Sequence, residues 1–132
     1  MILIDANVFI AYYNLNEIHH QSAVSLWEKF EKGEYGEYFI TDYVFNEVIG
    51  VTLRKLGKDH AILLGNKIIK STFMLHMDEH LLQQAWNTFK ETQLKLSLVD
   101  CTNLVALETA QSRSIATFDK EFTKIPSLNV IS

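Results

Sequence analysis

The chain opens on the stretch Met1-Ile2-Leu3-Ile4-Asp5-Ala6-Asn7, whose pattern indicates the class of fold. The run Ile2–Ile4 is continuously apolar, which is typical of a short parallel strand buried on both faces. Asp5 ends the run with a carboxylate, and Asn7 is suited to cap a helix over Val8–Tyr13. The opening residues therefore predict a buried strand, an acidic residue at its carboxyl end, and a helix directly after it.

The same order of apolar run and helix recurs along the chain. Further strands are predicted at Tyr38–Thr41, Phe73–Met77, Ile115–Phe118 and Ser127–Ile131. Predicted helices begin near Asn16 and stop near Gly33, span Tyr43–Leu56 with Gly57 as the stop, span Lys58–Lys70, follow Asp78 through Phe89, and follow Ser97 to about Gln111. The alternation predicts an α/β fold with a mainly parallel central sheet of about five strands flanked by helices. No repeat, linker or low-complexity stretch interrupts it, so we expect residues 1–132 to form a single domain.

Composition excludes several classes of protein. A chain of 132 residues that is 48% hydrophobic and 21% charged is neither disordered nor collagen-like. Its one cysteine, Cys101, excludes an internal disulfide and a multi-cysteine zinc site. No basic segment precedes the first apolar run and no run is long enough to span a membrane, so a cytosolic protein is expected. The net charge of −4 by itself argues against a nucleic-acid binder.

Two carboxylates, Asp5 and Asp119, directly follow predicted strands. In a parallel sheet the carboxyl ends of the strands share one edge, which is where sites in such sheets lie. If the two strands are neighbours, both carboxylates meet at that edge. The competing interpretation is that an aspartate after a strand serves only as a turn or helix-cap residue.

Asp100 and Glu47 lie on predicted helices. The segment Ser97-Leu98-Val99-Asp100 has the form of a capping box, which is a purely structural interpretation. Its helix is apolar nearly all round, however, and an inward-facing Asp100 carboxylate would need a partner such as a metal, a basic residue or the helix N-terminus. Periodicity alone places Glu47 away from the centre of the apolar stripe, on the surface of its helix.

Four pieces of the chain, taken in order, resemble PIN-domain ribonucleases, and most closely the small single-domain toxins of the VapC type. The pieces are Ile4-Asp5-Ala6-Asn7, the helical Tyr43-Val44-Phe45-Asn46-Glu47-Val48, the helix start Ser97-Leu98-Val99-Asp100 followed by Ala106, and the segment Ala116-Thr117-Phe118-Asp119-Lys120-Glu121-Phe122. The resemblance runs from Met1 to about Ile131. One departure is the turn Gln111-Ser112-Arg113-Ser114, where family members often carry a glycine.

The resemblance implies a metal-dependent endoribonuclease that acts as the toxin of a toxin–antitoxin pair. It implies that Asp5, Glu47, Asp100 and Asp119 converge to bind Mg²⁺ or Mn²⁺, which are hard cations that prefer oxygen ligands. Asn7 and Thr117 would be supporting residues, with a helix cap and an ordinary strand residue as the competing interpretations. An antitoxin and a homodimer are the implied partners, and Ile62, Leu63, Ile68 and Ile69 are candidates for an apolar dimer face.

The basic residues that are candidates for RNA contact lie near the acidic ones in sequence. They are Arg54, Lys55 and Lys58 after Glu47, and Lys120 after Asp119. Such residues can hold phosphates without reading base sequence, although solvated surface lysines are the competing interpretation. Setting the four candidate metal ligands aside leaves twelve acidic residues against twelve basic ones. The net charge therefore does not exclude RNA as the substrate.

Three alternatives remain open from the sequence. One is a housekeeping PIN nuclease of RNA maturation that has no antitoxin. Another is a phosphatase of the haloacid-dehalogenase type with Asp5 as nucleophile, although position 7 is Asn where that class resembles D-x-D. The third is a PIN fold that binds without catalysis, against which the complete acidic set argues.

Overall fold

The computed structural model describes residues 1–132, and its strands and helices alternate as the sequence predicts. The strands are β1 (Ile2–Ile4), β2 (Tyr38–Thr41), β3 (Phe73–Leu75), β4 (Ser114–Ala116) and β5 (Asn129–Ile131). The α-helices are α1 (Ala6–Tyr13), α2 (His20–Glu31), α3 (Asp42–Leu56), α4 (Lys58–Ser71), α5 (Glu79–Glu91) and α6 (Leu98–Thr109). A 3₁₀ helix, Lys120–Lys124, precedes β5.

The five strands form one parallel sheet in the order β3-β2-β1-β4-β5. The opening strand is central, with Leu3 in register with Phe39 of β2 on one side and Ile115 of β4 on the other. All three residues of β1 are fully buried, as the apolar run predicts. Because β1 and β4 are parallel neighbours, the residues that follow them, including Asp5 and Asp119, lie at the same edge of the sheet.

The core lies on both faces of this sheet. Ile2 and Ile4 face one apolar cluster with residues of α1 to α4, whereas Leu3 faces a second cluster with residues of α5 and α6. This division follows from the alternation of side chains along a strand. The predicted α/β fold, a five-stranded parallel sheet flanked by helices, is confirmed. No helix has both the length and the apolar character needed to cross a membrane.

Two helix caps differ from those predicted. Asp5, rather than Asn7, caps α1, and its Oδ1 accepts a hydrogen bond from the amide of Ala6 at 2.8 Å. Asn7 lies inside the helix, so its side chain is free to reach the edge of the sheet. The second helix begins at His20 and not near Asn16. The residue before it, His19, makes no side-chain cap hydrogen bond.

Three strands are shorter than predicted, and beyond the ends of two of them a polar side chain accepts from a backbone amide. The third strand ends at Leu75, and the amide of Met77 donates instead to Oδ1 of Asp42 at 3.0 Å. The fourth ends at Ala116, and the amide of Phe118 donates to Oδ1 of Asn7 at 3.1 Å. The fifth begins only at Asn129, after Ser127 with a positive φ of 66°.

The expected dimer face on α4 is only partly available. Ile62, Leu63 and Ile69 are 52%, 58% and 64% exposed. Ile68 is 3% exposed and belongs to the core, so its assignment to a contact face is wrong. Ile68 instead packs into the apolar cluster that includes Ile4 of β1 and Ile40 of β2.

Candidate active site

Asp5 is the most deeply buried acidic residue of the candidate site. It is 4% exposed, and each of its two carboxylate oxygens accepts two hydrogen bonds. Oδ1 accepts from the amide of Ala6 at 2.8 Å and from Nδ2 of Asn103 at 3.2 Å. Oδ2 accepts from Oγ1 of Thr117 at 2.7 Å and from Nδ2 of Asn7 at 3.1 Å. These four donors hold the Asp5 carboxylate in a single orientation.

Asn7 and Thr117 join the end of β1 to the segment after β4. Nδ2 of Asn7 also donates to Oγ1 of Thr117 at 3.0 Å. The same hydroxyl accepts from the amide of Asp119 at 3.1 Å, and Oδ1 of Asp119 accepts from the amide of Glu121 at 2.9 Å. The hydrogen bond from Asn7 to Asp5 is therefore part of a network that also fixes the backbone of Asp119.

Asp100 combines a structural contact with a place in the site. Its Oδ2 accepts from the amide of Ser97 at 2.8 Å, while its own amide donates to Oγ of Ser97 at 3.1 Å. This is the complete capping box that the sequence predicts at the start of α6. The other carboxylate oxygen, Oδ1, accepts no protein hydrogen bond. The capping interpretation and the functional one are thus compatible in one side chain.

Glu47 projects from the second turn of α3. Its neighbours Val44 and Val48 are buried, whereas Glu47 itself is exposed, as the helical periodicity indicates. Partial burial nevertheless raises the pKa of its carboxyl, and the charge of Asp100 raises it further. Glu47 is therefore a surface residue that lies close enough to Asp100 to interact with it electrostatically.

The four predicted carboxylates are here called the carboxylate cluster, and they are Asp5, Glu47, Asp100 and Asp119. Asp100 interacts electrostatically with each of the other three. Burial raises the pKa of Asp5 to about 6, opposed by the hydrogen bond from Thr117, and the charges of Asp100 and Glu47 raise it further. Burial also raises the pKa of Asp100, and the charge of Asp119 adds to that effect. Mutual repulsion of this kind is relieved by a cation or by protonation.

The oxygen atoms of the carboxylate cluster fit a hydrated hard cation. Oδ1 of Asp100, Oδ2 of Asp119 and both carboxylate oxygens of Glu47 accept no protein hydrogen bond, so they remain available as ligands. No group of three His, Cys, Asp or Glu side chains is arranged to hold a metal ion directly. A hydrated cation such as Mg²⁺ keeps several of its waters and binds through one or two carboxylates, so it needs no such group of three.

The basic candidates for RNA contact have different surroundings. Arg54 lies two turns beyond Glu47 on α3. Its guanidinium folds back along the helix over Gly50, 3.7 Å from the position that a Cβ would occupy there. Lys120 is exposed directly after Asp119. Lys55 is engaged by Glu17, with Nζ and Oε1 at 2.6 Å, and Lys58 is an exposed residue at the start of α4. Of the four, Lys55 is thus the one that already pairs with an acidic residue.

Asn103 is the residue of this site that sequence reasoning missed. It is fully buried on α6 and lies one helical turn after Asp100, on the same face. A lone amide in a helix that is otherwise nearly all apolar was the available signal, because a buried amide needs a polar partner. The partner is Asp5, which no local pattern in the sequence identifies.

The fold and the site define a class of protein: a parallel α/β domain with interacting carboxylates near the carboxyl edge of the sheet. The chain belongs to the PIN domain family, whose sequence model matches residues 2–128. The resemblance seen in the four sequence pieces is thereby confirmed.

Known relatives agree with this assignment. The chain is 25% identical over 125 residues to a VapC ribonuclease of Archaeoglobus fulgidus, covering 92% of this chain and 78% of that protein. Its fold is similar to that of VapC20 of Mycobacterium tuberculosis, a sarcin–ricin loop cleaving toxin, with TM-score 0.83, 20% identity and 94% of each chain covered. It is also similar to a chain of a toxin–antitoxin complex from Klebsiella pneumoniae, with TM-score 0.69, 16% identity, and 100% of this chain and 97% of that chain covered.

Proposed function

We propose that the chain is a metal-dependent endoribonuclease that acts as the toxin of a type II toxin–antitoxin pair. The observation that carries the proposal is the fixed Asp5 carboxylate, with its four donors and its electrostatic coupling to Asp100 and Glu47. A purely structural aspartate at the end of a strand needs neither a neighbouring Asp100 nor a raised pKa. Membership of the PIN family and the similarity to a VapC ribonuclease support the same activity.

In this proposal Asp5, Glu47, Asp100 and Asp119 hold Mg²⁺ or Mn²⁺. The bound cation would supply an activated water for attack on the phosphodiester and would offset negative charge on the phosphate. A carboxylate of the cluster that is not fully used in coordination would accept the proton of that water. Asn7 and Thr117 orient Asp5 and hold the backbone of Asp119, so they act as positioning residues.

Arg54, Lys58 and Lys120 would bind RNA phosphates near the carboxylate cluster. Contacts of this kind add affinity without base selection. Lys55 would first have to leave Glu17, so its contribution should be smaller.

The partners follow from the same proposal. We infer a cognate antitoxin protein, a cytoplasmic location, and a homodimer in which the exposed Ile62, Leu63 and Ile69 of α4 contact a second copy. Residues 1–132 would then act as one PIN domain, with RNA bound directly on its surface. Copurification with a short protein encoded beside this gene separates the toxin from a housekeeping PIN nuclease.

The activity is tested on total cellular RNA with purified protein. We expect cleavage in Mg²⁺ or Mn²⁺, loss of cleavage on chelation, and a loss of at least about 100-fold in Asp5→Asn and Asp100→Asn. Asp59→Asn is the matched control, because Asp59 is an exposed acid in the first turn of α4. Mapping of the new RNA ends identifies the substrate. Cleavage that survives both active-site substitutions would rule out the proposed catalytic site.

A further inference from the structure

A cavity of about 190 Å³ lies beside the carboxylate cluster, and most of its lining has no role in the proposed chemistry. It opens between the start of α2 and the segment after β4. Thr117 and Asp119 line it on the side of the cluster, and Thr117 is also the donor at 2.7 Å to Asp5. A group bound in this cavity would therefore lie directly next to whatever occupies the carboxylate cluster.

An aromatic pair forms one wall of this cavity. The imidazole of His19 stacks on the ring of Phe118, with the centroids 4.5 Å apart and the planes 9° from parallel. Phe118 is half-buried against the apolar core, and its amide donates to Oδ1 of Asn7. His19 is exposed, and Phe118 stacks on only one face of its ring. The pair is a flat surface fixed to the same network that holds Asp5.

The remaining lining is polar except for Val130. Ser22 and Thr123 contribute hydroxyl groups, which can donate or accept, and Lys120 contributes an ammonium. A flat aromatic face, adaptable hydroxyls and one cation together match a nucleotide, in which a base stacks, the base edges form hydrogen bonds, and a phosphate binds a basic side chain.

Resting on the proposed ribonuclease function, we propose that this cavity is a nucleobase subsite. It takes one unpaired base of the RNA substrate, stacked on the face of His19 opposite Phe118, next to the phosphodiester at the carboxylate cluster. Lys120 binds a phosphate of that nucleotide. Stacking accepts any base because every base has a flat face, while Ser22 and Thr123 add only a modest preference. The subsite therefore favours single-stranded RNA at the position of cleavage.

The first test measures binding rather than cleavage. The probe is a short single-stranded oligoribonucleotide that carries 2-aminopurine, whose fluorescence is quenched by stacking, and chelator is present so that no cleavage occurs. We expect His19→Ala to bind about 5- to 100-fold more weakly with loss of quenching, and His19→Tyr to restore both. His60→Ala is the matched control, since His60 is an exposed histidine on α4.

The second test compares cleavage of single-stranded RNA in Mn²⁺ with an intact or an abasic nucleotide beside the cleaved bond. The wild type should cleave the abasic RNA more slowly than the intact RNA. His19→Ala should cleave the two RNAs at similar rates, because the base and the ring of His19 contribute through the same contact. Equal binding and cleavage by His19→Ala, His60→Ala and wild type would overturn the subsite. A His19→Tyr variant that is folded, as checked by its melting temperature, but binds and cleaves no better than His19→Ala would also overturn it.

The two proposals fail in different ways. If the wild type cleaves no RNA in Mg²⁺ or Mn²⁺, the ribonuclease function fails, and the 2-aminopurine binding still decides whether the cavity takes a base. If the wild type cleaves RNA and His19→Ala behaves identically, only the subsite fails.

Discussion

Asn103 donates a hydrogen bond from Nδ2 to Oδ1 of Asp5 at 3.2 Å, across a separation of 98 residues. The amide is fully buried, and its own Oδ1 has no hydrogen-bond partner. A buried acceptor without a partner costs about 1–3 kcal/mol. An apolar side chain would avoid that cost, so the contact with Asp5 is the one gain that the structure offers for an amide at this position.

Replacement of Asn103 by leucine, which has a similar size, should separate stability from activity. Asn103→Leu removes the unpartnered oxygen together with the donor to Asp5, so the free energy of unfolding should change by no more than about 1 kcal/mol. RNA cleavage should fall about 10- to 100-fold, as is typical when a group that orients a metal ligand is lost. Urea unfolding and single-turnover cleavage measure the two effects.

The matched control for Asn103→Leu is Thr102→Val. Thr102 is equally buried on the same helix, and its hydroxyl donates to the carbonyl of Val99 rather than to Asp5. We expect Thr102→Val to retain cleavage. An Asn103→Leu variant with wild-type cleavage, or one that is unfolded while Thr102→Val is stable, would contradict a positioning role for Asn103.

Asp100 allows its cap and its charge to be tested separately. Asn at position 100 keeps an oxygen that can accept from the amide of Ser97, so Asp100→Asn should unfold with nearly the wild-type free energy while cleavage is lost. Ser97→Ala removes the hydroxyl that accepts from the amide of Asp100 but leaves the carboxylate. It should cost about 1 kcal/mol of stability and little activity.

Thermal melts and cleavage rates of both variants decide between the two roles of Asp100. If Asp100→Asn retains cleavage, the residue is only a helix cap. If Ser97→Ala abolishes cleavage without unfolding the protein, the capping box is itself part of the active site, contrary to the expected division.

The fold was predictable because its signals are local. The apolar run Ile2–Ile4 predicts a strand buried on both faces. The structure confirms this, because the strand lies at the centre of the sheet between β2 and β4. Ser97 and Asp78 cap the predicted helices because a cap depends on residues three positions apart.

The contacts that the sequence could not reveal join residues far apart in the chain. Asn7 was expected to cap a helix, but its side chain bonds to Thr117 and to the amide of Phe118, which ends β4 early. Asn103 and the stacking of His19 on Phe118 depend on the sheet order, which brings the ends of β1 and β4 together. Glu47 was correctly expected at the surface from its periodicity. No local pattern brings it to Asp100; only the family resemblance implied that the two converge, and the packing of α3 beside α6 allows their interaction.

The turn after α6 offers a test of backbone strain. Gln111 has a positive φ of 53°, in the left-handed region that favours glycine. A non-glycine residue there costs about 1–2 kcal/mol, and glycine costs about 0.5–1 kcal/mol in unfolded-state entropy. Gln111→Gly should therefore raise the free energy of unfolding by about 0.5–1 kcal/mol. Gln93→Gly, in an exposed loop without positive φ, should lower it, and equal effects of the two would contradict the argument.

The raised pKa of Asp5 makes the stability of the metal-free protein depend on pH. Burial raises that pKa from 3.8 to about 6, so the folded state holds the proton more tightly than the unfolded chain does. The stabilising effect of protonation is present in full below the unfolded pKa and is lost as the pH rises through about 6. The loss amounts to about 3 kcal/mol.

Asp5→Asn isolates this effect, because it removes the titrating group while keeping its shape. In chelator, the stability of the wild type relative to Asp5→Asn should fall by about 3 kcal/mol between about pH 4 and pH 7, and then level off. The slope carries the test, since replacing the carboxylate also alters the hydrogen bonds from Asn7 and Thr117 by a constant amount. Added Mn²⁺ should reduce the fall, because a bound cation favours the ionised carboxylate. Urea unfolding at each pH measures the difference, and a difference that stays constant with pH would show that Asp5 titrates as an ordinary carboxylate.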